Sequence, residues 1–433
     1  MRNSFFAATI LCAATANAAP APQPPPPGPA IDAIWPDFRG PARDGHAPAD
    51  ARPPTRWSDT DRVKWRTPIP GQGHSSPVVA GGRVWLTTAL DDGRSMHAVC
   101  VDSADGRVLH DVEVFATSYP GPKHAFNSYA SPTPAVGGGR VFVSFGTHGL
   151  ACLDAGTAKV VWAARDLDLH FETGAGSSPV LYGEMVILEC DAVNAQYVVA
   201  FDAATGKQAW KTPRSKAFGP TMTNKRRAFS TAVIQPIGGR DVLLSLGAQR
   251  MYGYDPATGQ ELWHVDHGGY SNAARPLYAD GLVVFSTGYD KADLVAARVP
   301  ADPPAPGGKP IDASGDVAWR QKQGAPYKPT PTLVDGRLYV VADTGVARCL
   351  DAKTGNVIWT KRLGQTYSAS PLYAGGLLYF LSEKGQVDVL KPGGGAEPTV
   401  VASFTTDEGY FASPAVVGNA LILRTTGHLY RVE

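Results

Sequence analysis

His, Lys, Arg, Asn and Tyr side chains recur through this sequence just ahead of short Ser-Pro, Thr-Pro and related phrases. The first is His74, in GQGHSSP. GPKHAFNSYASP then carries Lys123, His124, Asn127 and Tyr129. Glu172 follows, and TNKRRAFS carries Lys225, Arg226 and Arg227. GGYSNAARP brings Tyr270, Asn272 and Arg275, and APYKPTP brings Tyr327 and Lys328. GQTYSASP supplies Gln365 and Tyr367; DEGYFASP supplies Glu408 and Tyr410. Cationic and aromatic groups outnumber carboxylates in this set. Gathered at one mouth, they would suit an anionic, planar or saccharide-like ligand, held by charge-assisted hydrogen bonds and cation–π contact. The candidate binding residues are therefore His74, His124, Asn127, Tyr129, Arg226, Arg227, Asn272, Arg275, Tyr327, Lys328, Tyr367 and Tyr410. None is assigned to catalysis. The bland alternative is that each Tyr caps a channel and bonds backbone, and that Lys225–Arg227 is a solvated loop. His74 and His124 have no i,i+4 partner and no nearby carboxylate phrase, so no metal site is expected. No nucleophile elbow marks a hydrolase or lyase.

The elements that must position these residues repeat. DAATGKQAW (Asp202–Trp210), DPATGQELW (Asp255–Trp263) and DAKTGNVIW (Asp351–Trp359) are nearly one phrase, with looser copies at Asp102, Asp154 and Asp312. A second phrase precedes each copy: a small residue, usually Pro, an apolar run, Gly and another apolar run. SSPVVAGGRVWLTT (Ser75–Thr88) and SPLYAGGLLYFLS (Ser370–Ser382) are examples. Units starting near 76, 133, 178, 231, 275, 330, 370 and 413 are spaced by roughly 40 to 57 residues, the range of propeller blades. Each parses as four strands, A to D. The Asp accepts backbone N–H bonds in the C–D turn, the Gly supplies positive φ, and the Trp wedges between blades. The last unit stops after strand C, while VKWRTP (Val63–Pro68) is an orphan D strand; pairing them closes the ring. The fold class is all-β: an eight-bladed β-propeller with four antiparallel strands per blade. The D–A connections lie on one face beside the channel, and the short A–B and C–D turns lie on the other. Two Pro/Gly-rich stretches, Pro300–Pro310 and Lys391–Pro398, read as solvated insertions in the second face.

Composition sets the surroundings. Of 433 residues, 40 are Lys or Arg and 39 are Asp or Glu, so no global charge draws in nucleic acid or a membrane surface. Residues 1–18 read as a signal peptide with Ala16-Asn17-Ala18 at the cleavage site, and 19–33 as a proline-rich linker. The propeller is expected over 34–433, periplasmic or secreted, monomeric and without a transmembrane segment. The arm Trp35–Gly45 is expected to be ordered from about Ile34. Cys100, Cys152, Cys190 and Cys349 read as free, buried thiols.

The Asp-Ala-x-Thr-Gly-x-x-x-Trp phrases and Ser-Ser-Pro starts resemble the pyrroloquinoline quinone (PQQ) repeat family of β-propellers. WPDFRGPARDG (Trp35–Gly45) and RWSDTDRVKWRTPIPGQGHSSPVV (Arg56–Val79) look like exported PQQ-binding-like repeat proteins. The repeat is also similar to that of the propeller scaffold subunit of the outer-membrane β-barrel assembly machinery. Dehydrogenases of this family use the quinone with bound Ca²⁺, an Asp base and often a disulfide between adjacent cysteines; this chain has no adjacent pair. A complete structural repeat with no recognisable catalytic set points to an exported, non-catalytic scaffold binding a protein, peptide or glycan on its loop-rich face; the family resemblance leaves PQQ as the one candidate cofactor. The alternative it implies is a PQQ-dependent dehydrogenase that oxidises an alcohol or sugar.

Overall fold

The computed structural model describes Met1 and residues 33–433, apart from 220–222, 303, 306, 394 and 396. The proposed signal peptide and nearly all of the proline-rich linker lie outside the described residues. Each apolar run folds as a strand, and each Gly-containing break as a tight turn. The first blade is Val78–Ala80, Arg83–Leu90, Ser95–Asp102 and Val108–Ala116, paired in the order A-B-C-D. Blades two to seven repeat that order over 135–164, 180–213, 233–266, 277–321, 332–362 and 372–405. Blade eight is Ala415–Val417, Ala420–Arg424 and His428–Val432, completed by Val63–Pro68 antiparallel to the chain's last strand. The ring closes as the orphan strand predicts. Among the described residues no helix is long and apolar enough to cross a membrane.

The opening phrases act between blades as well as within them. Asp202 accepts the Thr205 N–H at 2.7 Å and its hydroxyl at 2.6 Å, fixing the C–D turn. The Trp of one blade donates to the turn of the next: Trp65 to Ser103 O, Trp162 to Ala203 O, Trp210 to Pro256 O and Trp319 to Ala352 O, at 3.0–3.2 Å. Its indole lies on the Gly of that turn. A methyl group at Gly206 would stand 2.6 Å from Trp162, and φ there is +71°. Among the described residues Trp263 and Trp359 make no such bond. They precede blades five and seven, whose C–D connections carry the two insertions. Just after the first insertion, Ile311–Asp312 pairs in parallel with Trp263 and His264, adding a fifth strand to blade four.

The Ser and Thr residues that begin each unit form a stitched ring around the channel. The N–H of each donates to the hydroxyl of the next: Ser76 to Thr133, Thr133 to Ser178, Ser178 to Thr231, Thr330 to Ser370, Ser370 to Ser413 and Ser413 back to Ser76, all at 2.9–3.0 Å. The Arg275 N–H likewise meets Thr330. The stitch from Thr231 is missing, because position 275 carries Arg and offers no hydroxyl. Ser230 Oγ bonds Ala274 O instead, at 3.1 Å.

The segment from Ala33 to His46 runs inside this ring. Ala33–Trp35 pairs with the A strand of blade one, and Trp35 is buried. Pro36 O accepts from Val136 N in blade two. Arg43 reaches Leu181 O in blade three. Arg39 bonds Pro331 O and Thr332 in blade six and Pro371 O in blade seven. The chain therefore plugs its own channel with an N-terminal arm, then leaves between blades seven and eight to become the closing strand. The four cysteines are free and buried.

Candidate functional site

The D–A and B–C connections share one face, and a pocket of about 240 Å³ opens there over blades eight, one and two. Its lining includes His74, Phe126, Asn127, Phe411, Arg424 and Thr425. The His74 ring stacks on Phe411, centroids 4.4 Å apart and planes 7° from parallel. Burial and the Arg424 cation hold the imidazole down to about 4, against an ordinary 6.5, so it is a neutral wall. Arg424 is 4% exposed. Its Nη1 bonds Ser75 O at 3.0 Å and Ser75 Oγ. No carboxylate meets it, and burial alone pulls its pKa down to about 9.

The other expected residues divide by where their loops run. His124 packs on Phe126 at 3.9 Å, and Lys328 stands 5.1 Å over the same ring. Tyr129 donates to Gly121 O beneath Lys123, and Asn127 Nδ2 ties its loop to Thr173 O and Ala175 O. Tyr327 ends an aromatic row, Tyr270–Tyr289–Tyr327, with centroids 6.3 and 6.1 Å apart. Arg227 pairs with Glu172 at 3.0 Å, and Arg226 bonds Gly219 O. Four residues turn inward. Tyr367 bonds Asp388 and Tyr410 bonds Thr406, both buried, which is the capping role open to each Tyr. Asn272 is buried and holds Ser286 O. Arg275 grips the plug: it donates to Phe38 O and Ala232 O and lies 3.8 Å from Asp37.

Sequence reasoning missed Phe126, Phe411, Arg424 and two acids. Asp343 and Glu383, in the B–C turns of blades six and seven, pair with Lys328 at 3.5 and 2.9 Å. A signal for Arg424 does exist. It ends strand B at a slot that strand register equates with Thr87, Ser144, Glu189, Leu246, Ser286, Val341 and Leu381. Only Glu189 and Arg424 are charged there. Glu189 lies in a sealed cluster in which Arg214 holds Asp191 through Nε at 3.0 Å and Nη2 at 2.5 Å, and Glu189 at 3.4 Å.

These residues do not fit a calcium–quinone pair. Ca²⁺ takes six to eight oxygen ligands rich in carboxylate. The acids beside the cations of this face are dispersed and paired: Asp343 and Glu383 to Lys328, Glu408 to His428 and Arg66, Glu172 to Arg227. Among the described residues no three His, Cys, Asp or Glu gather to hold a metal. A wider depression of about 430 Å³ lies on the opposite face, around Arg52 and Arg431. Those cations already bond backbone, to Ala49 O and Ala51 O and to Ser103 O.

An eight-bladed ring stitched by the Asp-x-x-Thr-Gly and Ser-Pro phrases, with a loop-built face over a plugged channel, is a quinone-repeat propeller. Within that class, the chain belongs to the family described as outer membrane protein assembly factor BamB, whose model matches residues 99–301 and 309–428. A comparison with curated proteins gives no match. Among solved structures, a europium-containing methanol dehydrogenase is 13% identical, with a TM-score of 0.65 over 92% of this chain and 90% of that one. The quinohemoprotein alcohol dehydrogenase of Comamonas testosteroni is also 13% identical, at 0.60 over 92% and 80%. BamB of Moraxella catarrhalis is 12% identical, at 0.52 over 80% and 98%. At such identities the likenesses speak for the fold alone.

Proposed function

We propose that this protein is an exported binding scaffold that engages a protein or peptide partner on the D–A/B–C face. One observation carries the reading. Among the described residues, the exposed large aromatics are Tyr119, Phe126 and Tyr289, and all three belong to D–A or B–C connections of this face. The other exposed large apolar residues are mostly single valines on outer D strands, which need no explanation. Exposed aromatics rimmed by polar groups favour partner binding. Membership of the BamB family supports a scaffold rather than an enzyme, and the dispersed acids argue against quinone chemistry. A photo-crosslinking residue placed at 126 or 289, in the cell that makes the protein, should give discrete protein adducts; the same residue at Val160 should give none. Equal labelling at all three positions would remove the reading. Tight calorimetric binding of PQQ with Ca²⁺ would favour the dehydrogenase that oxidises an alcohol or sugar.

A further inference from the structure

We infer that the pocket between blades eight, one and two is a carboxylate site, taking a carboxylate borne on an aromatic or apolar body. Three other buried arginines are satisfied from within the chain. Arg214 has two carboxylates. Arg275 has Asp37 and two carbonyls. Arg39 spends both terminal nitrogens on three carbonyls and a hydroxyl. Arg424 has Ser75 alone, and only through Nη1. Its Nε and Nη2 share the other edge of the guanidinium and, among the described residues, carry no partner. That edge matches the two oxygens of a carboxylate. A buried cation without an anion is costly, so a monoanion arriving there is strongly favoured.

Shape supports the same class. Gly73 sits against that edge: a methyl there would stand 2.2 Å from Nη2. Its absence leaves the nitrogen approachable. Phe126 and Phe411 supply apolar walls, with neutral His74 stacked behind the second. The volume, about 240 Å³, leaves room for one ring and its acid group. One cation edge suits a monoanion better than a phosphate dianion. Lys328, the nearest cation over Phe126, already has Asp343 and Glu383. Two sources share this chemistry: the C-terminus of a peptide ending in an apolar residue, and a free aromatic acid.

The inference rests on this face being the binding surface, yet its test needs no partner protein. Failure here leaves the crosslinking result standing, and the reverse. Calorimetry of the full chain with N-acetyl-glycyl-phenylalanine should show the free acid binding at least tenfold tighter than its amide. Arg424→Met and Gly73→Ala should each abolish that preference, the second while keeping the guanidinium. Benzoate binding as tightly as the peptide acid identifies free acids as the source; weak benzoate binding identifies chain termini. Acid and amide binding alike, or not at all, overturns the proposal even if neither variant folds.

Discussion

Glu189 in blade three and Arg424 in blade eight occupy the same slot on their second strands, yet they meet opposite surroundings. Glu189 faces Arg214, Asp191 and Ser245 at a seam closed to solvent. Arg424 faces Ser75 and then a pocket. The first charge is answered from within the chain; the second is not. A repeat protein can thus place a charge at a seam either to lock two blades or to present a binding group. Counter-charge within reach distinguishes the two. Arg275 shows a third use of a deviating position. It interrupts the hydroxyl ring and spends its side chain on the channel plug.

Removing each cation should have unequal effects. Arg214→Met strands Asp191 and Glu189 without a counter-ion and should cost about 3–5 kcal/mol. Arg424→Met removes an unanswered charge and its bonds to Ser75, so the change should stay within about 1–2 kcal/mol. Urea denaturation midpoints at one pH decide the matter. Equal losses would mean that Arg424 is a structural residue like its counterpart.

The seams should also titrate with opposite sign. Burial holds the Glu189 carboxyl up at about 7 against an ordinary 4.5, so the folded chain keeps a proton that the unfolded chain has released. That stability is present below pH 4.5 and is lost as pH rises to about 7. His74 is the reverse: its contribution is present above pH 6.5 and is lost as pH falls to about 4. Each swing is at most about 3.5 kcal/mol. Glu189→Gln should flatten the alkaline limb, and His74→Asn should shallow the acid limb. His267, buried and held down to about 3, keeps some acid sensitivity in both variants. Midpoints measured from pH 4 to 8 would expose a wrong sign at either seam.

The framework was legible because its signals are repeated. Asp, Thr, Gly and Trp at fixed offsets serve a turn and a wedge at once, and Val63–Pro68 was an orphan strand that only closure could use. The Ser and Thr starts were visible as unit markers; their hydroxyl ring needed neighbouring blades to appear. The site was less legible because it is made of exceptions. Reading only the D–A connections found His74 and Asn127 but overlooked the strand B end at Arg424 and the B–C acids that neutralise Lys328. Tyr367, Tyr410 and Asn272 sit just before the unit starts, where the chain dives beside the channel, so their polar tips found buried partners. No sequence pattern announced that Arg39 and Arg43 would send the arm through the ring.

The two seams differ at their inner ends, and their outer ends are built alike. Trp210 donates to Pro256 O at 3.2 Å and lies on Gly259; Trp65 donates to Ser103 O at 3.1 Å and lies on Gly106. Thr212 and Thr67 reinforce them through Gly259 O and Gly106 O. A methyl at Gly259 would meet Trp210 at 2.4 Å, and one at Gly106 would meet Trp65 at 2.7 Å, with φ +74° and +79°. Gly259→Ala and Gly106→Ala should each cost about 1–3 kcal/mol, from overpacking and from backbone strain. The two losses should be similar, since the indole, carbonyl and threonine contacts at the two turns are alike. Agreement would confine the contrast between the seams to the slot held by Glu189 and Arg424. A much smaller loss at Gly106 would mean that the seam beside the pocket is loose throughout, and the open edge of Arg424 would then reflect poor packing rather than a site.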